Sequence, residues 1–277
     1  MKKLMFSMML VLPTLFFTSC SDDDDATQAP EESKTYQLAS VADPSISGTA
    51  KFIKVDEKTT TIELQLKGTP SGGMHPAHIH LNTAAEGGDI ALTLGTVDGT
   101  TGFSTITVTA LDNKTAISYE KLLEFDGYIN VHASSIDLAT LVAQGDIGEN
   151  ELTGLSTSYP LASVSDPAIS GSFMLQRRVN GEALATITLN GTKEGVEYPA
   201  HIHAGSVANA PGAIIVDLNT VKGKTGMSKT NLKKLKANPD FFGYEKLLTI
   251  DGYVNVHNPM PADLSVLVAQ GNVGKNK

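Results

Sequence analysis

Residues 36–48 read YQLASVADPSISG and residues 159–171 read YPLASVSDPAISG, so one pattern occurs twice at an offset of 123 positions. The same offset relates PAHIH at residues 76–80 to PAHIH at residues 199–203. DGYINVH at residues 126–132 likewise has the counterpart DGYVNVH at residues 251–257. Each copy spans about 115 residues, the size of one independent domain. The repeat predicts domains at residues 35–149 and 159–277, joined by a polar linker at residues 150–158.

Short segments in each copy alternate between apolar and polar residues with the two-residue period of a half-buried strand. Residues 60–66 (TTIELQL) show this period in the first copy, and residues 185–189 show it in the second. Turn sequences separate these runs at short intervals. The pattern predicts an all-β protein of two tandem immunoglobulin-like β-sandwiches. Helices are predicted only at the two YEKLL segments and at residues 231–237.

The first 19 residues have the composition of a secretory signal peptide. Two lysines precede an apolar run that is too short to span a bilayer as a helix. The run ends in FTSC, which resembles a bacterial lipobox and makes Cys20 the expected lipidation site; an ordinary signal peptide followed by an incidental cysteine is the alternative. Residues 20–34 then form a strongly acidic tether that resembles the surface-export signal of some Gram-negative lipoproteins. A plain spacer is the other interpretation of this tether. We expect a lipid-anchored protein of the outer membrane that faces the cell exterior, with the membrane as its partner through the anchor.

Composition excludes several classes of protein. The 21 basic residues against 30 acidic ones give a net charge of −9, which would repel the phosphates of nucleic acids. A single cysteine excludes an intrachain disulfide framework. The sequence also contains no nucleophile elbow, no phosphate-binding loop and no zinc-protease helix motif. No catalytic residues are therefore assigned.

All seven histidines lie in the repeated framework. Residues i and i+2 of a strand face the same side, so His78 and His80 project together, away from the apolar residues between them. His132 avoids the apolar face of its own segment by the same rule. If the two strands are neighbours, three imidazoles converge, which suits Cu(II) or Zn(II). The candidate ligands are His78, His80 and His132 in the first copy and His201, His203 and His257 in the second.

Three further residues complete the candidate site. His75 could supply a fourth ligand in the first copy, where the second copy has Tyr198 instead. Asn130 and Asn255 could orient the liganding rings through hydrogen bonds. The alternative to a metal site is that the histidines only form hydrogen bonds across a polar sheet face.

The motifs PAHIH, DGYxNVH and LVAQGxxG together resemble the CHRD domain, a module of secreted bacterial proteins. The resemblance covers residues 36–148 and 159–274. It implies a β-rich extracellular domain and no established enzymatic activity.

A more distant likeness is to the copper/zinc superoxide dismutases, which are also β-sandwiches with an H-x-H pair and a later histidine among their copper ligands. The likeness implies a superoxide-dismutase-like sandwich and a metal pocket. The chain departs from that family because it has no disulfide, no bridging-histidine cluster and no arginine in its first copy.

The sequence thus predicts a non-enzymatic binding or adhesion module with an unknown extracellular ligand. The alternative is a protein that binds copper or zinc at one site in each domain. A copper-dependent dismutase is the narrower third possibility.

Overall fold

The computed structural model describes residues 31–277, apart from residues 261 and 263 and the side chain of residue 239. The expected signal peptide, Cys20 and the first part of the tether, up to residue 30, lie outside the described residues. The last tether positions belong to the fold, because the first strand begins at Ser33. Within the described part of the chain, no helix has the length and apolar character needed to cross a membrane.

Each copy of the repeat forms one closed antiparallel barrel of eight strands. The strands of barrel one are β1 (Ser33–Ser40), β2 (Ser47–Lys54), β3 (Thr60–Lys67), β4 (Met74–Leu81), β5 (Ile90–Asp98), β6 (Phe103–Val108), β7 (Asp126–Ser134) and β8 (Asp137–Gly148). Those of barrel two are β9 (Leu152–Ser163), β10 (Ser170–Arg178), β11 (Ala183–Asn190), β12 (Glu197–Ala204), β13 (Ile214–Lys222), β14 (Met227–Leu232), β17 (Asp251–His257) and β18 (Leu267–Gly274). A small hairpin of β15 (Lys234–Leu235) and β16 (Asn238–Phe241) accompanies barrel two.

The strand order is the same in both barrels. In barrel one it runs β1-β2-β3-β6-β5-β4-β7-β8 and closes from β8 back to β1. Two junctions between neighbouring strands, which we call seams, have few paired residues: β5 and β6 share one paired position, and β1 and β8 share two. The same two seams recur in barrel two. The all-β prediction is confirmed, and the sparse seams divide each barrel into two four-stranded halves, as in a sandwich.

Each barrel encloses its own hydrophobic core. Tyr36, Phe52 and Ile62 are among the buried residues of barrel one, and Tyr159, Leu175 and Ala185 take the corresponding places in barrel two. Alternation along the strands produces these cores, since every second residue points inward. The two YEKLL segments form the predicted short helices α1 (Tyr119–Leu123) and α2 (Tyr244–Leu247). A 3₁₀ turn at Val207–Asn209 completes the elements.

Two sequence-based expectations differ from the structure. Residues 231–237 are not helical, because Asn231 and Leu232 continue β14 and pair with β11. Tertiary pairing overrides the helical preference of the lysine-rich run that follows. Most of the expected linker, residues 150–158, lies in β9, which pairs with β10 from Leu152 onward. The polar side chains that suggested a linker form the outer face of that strand.

A buried arginine joins the two barrels. Arg178, at the end of β10, is fully buried, and its Nη1 donates to Oδ2 of Asp146 on β8 at 2.7 Å. Its Nε donates to Asn231 at 2.8 Å. Lys233 of barrel two also forms an ion pair with Glu86 of barrel one at 2.8 Å. Polar contacts therefore join the two barrels.

Candidate metal centre

Strands β4 and β7 bring the first histidine pair and the late histidine of barrel one together. They are antiparallel neighbours in which His78 lies opposite Asn130 and His80 opposite Tyr128. Ala77 and Ile79 point into the core and are fully buried, so the flanking histidines point out of the barrel. A bulge after Val131 shifts the pairing of His132 with β8. Such a bulge changes the direction of a side chain relative to a regular ladder.

The three imidazoles of barrel one form a compact group. One nitrogen from each of His78, His80 and His132 lies within 4.8 Å of the other two. Nδ1 of His78 and Nε2 of His132 are 3.1 Å apart. We call this group site one. The expected convergence of these three residues is what the structure shows.

Barrel two repeats the arrangement with His201, His203 and His257, which we call site two. The ring centroids of His201 and His257 are 5.2 Å apart, against 5.1 Å for the equivalent pair of site one. His203 and His257 are almost fully buried. The geometry is therefore conserved between two copies whose surrounding sequences differ.

Main-chain carbonyl groups fix which ring nitrogen carries the proton. Nδ1 of His80 lies 2.9 Å from the carbonyl oxygen of Gly88, and Nδ1 of His132 lies 2.8 Å from that of Leu138. A carbonyl oxygen only accepts hydrogen bonds, so in both rings Nδ1 donates and the neutral Nε2 keeps its lone pair. His203 and His257 donate in the same way to Gly212 and Leu264, at 2.8 and 2.7 Å.

Most of the nitrogens that face each other lack hydrogen-bond partners; the exception is in site one, where Nδ1 of His78 and Nε2 of His132 share a hydrogen bond of 3.1 Å. Within the described residues, five buried ring nitrogens have none: Nε2 of His75, which lies outside the sites, and Nε2 of His80, Nδ1 of His201, Nε2 of His203 and Nε2 of His257. A buried polar atom without a partner costs about 1–3 kcal/mol. Four such atoms in two equivalent groups indicate that something other than protein satisfies them.

A tyrosine holds the second histidine of each site. Tyr253 stacks on His203 with ring centroids 5.2 Å apart, and its hydroxyl accepts the N–H of Gly212 at 2.8 Å. The carbonyl of that same glycine accepts from His203. Tyr128 stacks on His80 in the same way at 5.1 Å. The side-chain alternation of β7 places Tyr128 on the histidine face, so the sequence contained this signal, but nothing in it assigned the tyrosine a role.

Close approach of two backbone segments explains why glycine occupies positions 88 and 212. A Cβ at Gly212 would lie 1.8 Å from the carbonyl oxygen of Ala204, and one at Gly88 would lie 2.0 Å from that of Leu81. No other residue fits at either position without moving the chain. The turn that accepts the histidine proton is therefore fixed sterically as well as by hydrogen bonds.

Burial favours the neutral form of four of the site histidines. Burial is the main cause that lowers the pKa of His78, and the neighbouring His132 and His80 lower it further. Burial also lowers the pKa values of His132, His201 and His257. Neutral rings at pH 7 leave the inward nitrogens free to act as ligands, since a metal binds only the deprotonated nitrogen.

The donor set fits a transition metal ion. Imidazole nitrogens suit copper and zinc, with bonds of about 2.0–2.1 Å. Two nitrogens on one tetrahedral ion at that distance are about 3.3 Å apart. The 3.1 Å between His78 and His132 is close to this separation. His78, His80 and His132 would hold the ion in barrel one, and their three counterparts would hold it in barrel two.

His75 lies outside site one. Its side chain shares the buried face of β4 with Ala77, whereas His78 is on the opposite face. Its Nδ1 donates to the main-chain carbonyl of His132 at 3.1 Å. The structure therefore does not bring the suggested fourth ligand to the group, because an odd spacing from His78 places it on the other side of the strand.

The asparagines lie beside the sites without bonding the rings. Asn130 is directly opposite His78, and its Oδ1 accepts from Gln144 at 2.9 Å. Asn255 is opposite His201, and its buried Oδ1 has no partner in the described part of the chain. The ring-orienting role expected of Asn130 and Asn255 is filled for the second and third histidines by main-chain carbonyls.

In comparison with known proteins, no family model matches this chain and no curated protein matches it. The case for a metal centre therefore depends on the geometry of the six histidines. It does not depend on the motif resemblance that drew attention to them.

Proposed function

We propose that this chain binds copper or zinc ions, one at site one and one at site two. The observation that carries the proposal is the pair of identical three-histidine groups whose inward nitrogens are mostly unpartnered. A merely structural histidine cluster would satisfy those nitrogens with protein groups. Three protein ligands leave a fourth position for water or a ligand, as in exposed zinc and copper sites.

Elemental analysis of the reconstituted, untagged protein tests this proposal. We expect two ions per chain, and fewer than about 0.2 in the His78→Ala/His201→Ala double variant. His75→Gln is the matched control, because it removes an imidazole from the same strand but not from the site. Wild-type protein that retains no metal after reconstitution contradicts the proposal, as does a double variant that retains both ions.

The motif resemblance to the CHRD domain supports a family for this chain, and the lipobox resemblance at Cys20 supports a cellular location. We propose that both copies are CHRD-like domains and that lipid on Cys20 anchors them at the outer surface of a bacterium. Labelled palmitate that is incorporated into wild-type protein but not into Cys20→Ser would support the anchor. Incorporation into both proteins would contradict it.

A binding role towards another macromolecule is a second candidate. Ile136, at the turn between β7 and β8, is 97% exposed, and Met260, in the corresponding loop of barrel two, is 71% exposed. Both lie a few residues beyond the third histidine of their site. Exposed apolar residues repeated at one place favour a contact surface. Capture of surface material by wild-type protein but not by Ile136→Ser/Met260→Ser would support this role, and equal capture by both would contradict it.

A further inference from the structure

Each site has an aspartate at or beside the strand position opposite its first histidine, and the two aspartates come from different chain positions. Asp217 on β13 is directly opposite His201, and its Oδ1 is 3.9 Å from Nε2 of that ring. Barrel one has Thr93 at the equivalent place, opposite His78. There Asp112, from the segment after β6, accepts from the N–H and the hydroxyl of Thr93 at 3.1 and 2.8 Å.

The two aspartates have different partners. Asp112 is held by neutral groups, a main-chain amide and a hydroxyl. Asp217 is held by the ammonium group of Lys236, whose Nζ lies 3.0 and 2.8 Å from its two oxygens. Lys236 therefore offsets part of the negative charge that Asp217 presents to His201.

The first histidine is the ring whose proton no carbonyl fixes. It offers Nδ1 to the site, so once that nitrogen binds an ion the ring proton must be on Nε2, the nitrogen at the outer edge. A carboxylate at that edge favours the proton there and makes the opposite nitrogen a stronger donor to a metal. Such partners of a ligand typically change metal affinity about 10–100-fold.

The net charges of the two barrels also favour cation binding by barrel one. Residues 35–149 contain 6 lysines and 14 acidic residues, a net charge of −8. Residues 159–277 contain 12 basic and 9 acidic residues, a net charge of +3. An acidic surface raises the local concentration of cations, and a basic one lowers it. Barrel one therefore favours cation binding at long range as well as at the ring.

We infer that the two sites are unequal: Asp112 and Asp217 are positioning residues for His78 and His201, and site one binds a divalent cation more tightly than site two because Lys236 neutralises Asp217. The inference rests on the proposed function, since it presupposes that both sites take a metal. It assigns the duplicated protein one strong and one weak site.

Single-site proteins test the inequality directly. His203→Ala/His257→Ala leaves only site one, and His80→Ala/His132→Ala leaves only site two. Zinc affinity is measured for each by competition with a chromophoric chelator. We expect site one to bind about 10-fold more tightly, with a difference that shrinks as salt is added. Equal affinities, or a tighter site two, would overturn the inference. Absence of binding by both proteins would instead contradict the proposed function.

The role of Lys236 is tested by a gain of affinity. In the protein that retains only site two, Lys236→Met should tighten zinc binding about 3–10-fold, because Asp217 regains its charge. Lys224→Met is the matched control, since it removes the same charge in the turn after β13. Unchanged or weaker binding in Lys236→Met, or equal gains in both variants, would refute the role of Lys236.

The role of the aspartates has a spectroscopic signature. Nitrogen chemical shifts of the zinc-loaded wild-type protein should place the proton of His78 and His201 on Nε2, and Asp112→Asn should weaken site one about 10-fold. Half an equivalent of zinc added to the wild-type chain should shift the ring signals of site one before those of site two. This titration needs no substitution, so it applies even if a variant fails to fold. Shifts that appear first in site two would count against the inference.

Discussion

At the scale of the residue, the hydroxyl of one tyrosine links a histidine of site two to the main chain. Tyr253 accepts the N–H of Gly212 while His203 donates to the carbonyl of the same glycine. The ring, the turn and the tyrosine therefore restrain each other. Such supporting contacts determine how well a ligand is oriented before an ion arrives.

Removing that hydroxyl should weaken site two alone. Tyr253→Phe keeps the ring stack but leaves the Gly212 N–H without an acceptor, and we expect zinc affinity at site two to fall about 10-fold. Tyr198→Phe is the matched control, because its hydroxyl accepts the N–H of Lys193 at 3.1 Å away from the histidine group. Competition titrations of both variants check this prediction. An equal loss of affinity in the two variants would contradict it.

The histidines should also make the apo protein sensitive to mild acid. Burial lowers the pKa values of His78, His132, His201 and His257 below the usual 6.5. The unfolded chain therefore binds more protons below about pH 6.5, and the free energy of unfolding falls as pH decreases through that value.

Urea unfolding of metal-free protein at pH 7.5, 6.5 and 5.5 measures this effect. We expect the midpoint to fall towards pH 5.5 in the wild type. A variant with asparagine at all four positions should show a flatter profile. A wild-type midpoint that is constant or rises towards pH 5.5 would show that these rings do not titrate as their burial requires.

At the scale of the element, the β1–β8 seam closes barrel one with only two paired positions. Gly145 lies next to this seam, and a Cβ there would be 2.1 Å from the carbonyl oxygen of Gln37. Gly271 has the same relation to Pro160 in barrel two. A strand glycine at such a place permits close approach of two backbones.

Adding a methyl group at this seam should open it. Gly145→Ala should destabilise the protein by about 2–4 kcal/mol, since the strands must separate to admit the Cβ. The control is Gly154→Ala, which meets no atom within 4 Å and should cost only the ~1–2 kcal/mol of a left-handed residue. Thermal or urea unfolding compares the two. Similar losses would mean that close approach at the seam is unimportant.

The sequence predicted which strand faces carry the histidines better than it predicted how distant strands pair. The alternation around His78, His80 and His132 indicated the correct faces, because strand periodicity is local. It also placed His75 on the buried face, although that residue was considered as a ligand. The pairing of β14 with β11, which excludes the helix expected at residues 231–237, depends on distant strands. The carbonyl of Gly88 belongs to the connection between β4 and β5 and that of Leu138 to the start of β8, and no side-chain pattern encodes the position of either.

At the scale of the whole molecule, the two barrels depend on a buried charge pair. Arg178 is fully buried, and within the described part of the chain the acidic residue paired with it is Asp146. Such a pair costs desolvation energy, and loss of one partner leaves an uncompensated charge inside the protein. The joint therefore makes the barrels mutually dependent although each has its own core.

Removal of the carboxylate should destabilise the joint. We expect Asp146→Ala to lower the free energy of unfolding by about 3–5 kcal/mol. Asp137→Ala is the control on the same strand, because Asp137 is exposed and accepts only local hydrogen bonds such as that from Thr140. Urea unfolding measures both variants. A loss in Asp146→Ala no larger than in Asp137→Ala would mean that Arg178 is stabilised by other groups.

Asp146 also connects the contact between the barrels to the turn that supports site one. Its Oδ1 accepts the N–H of Ala84, in the turn that also carries Gly88, while its Oδ2 binds Arg178 of the other barrel. Asn272 holds the equivalent turn of barrel two through Val207 at 2.9 Å. Traction that separates the barrels would therefore pull first on the anchor of the turn beneath His80.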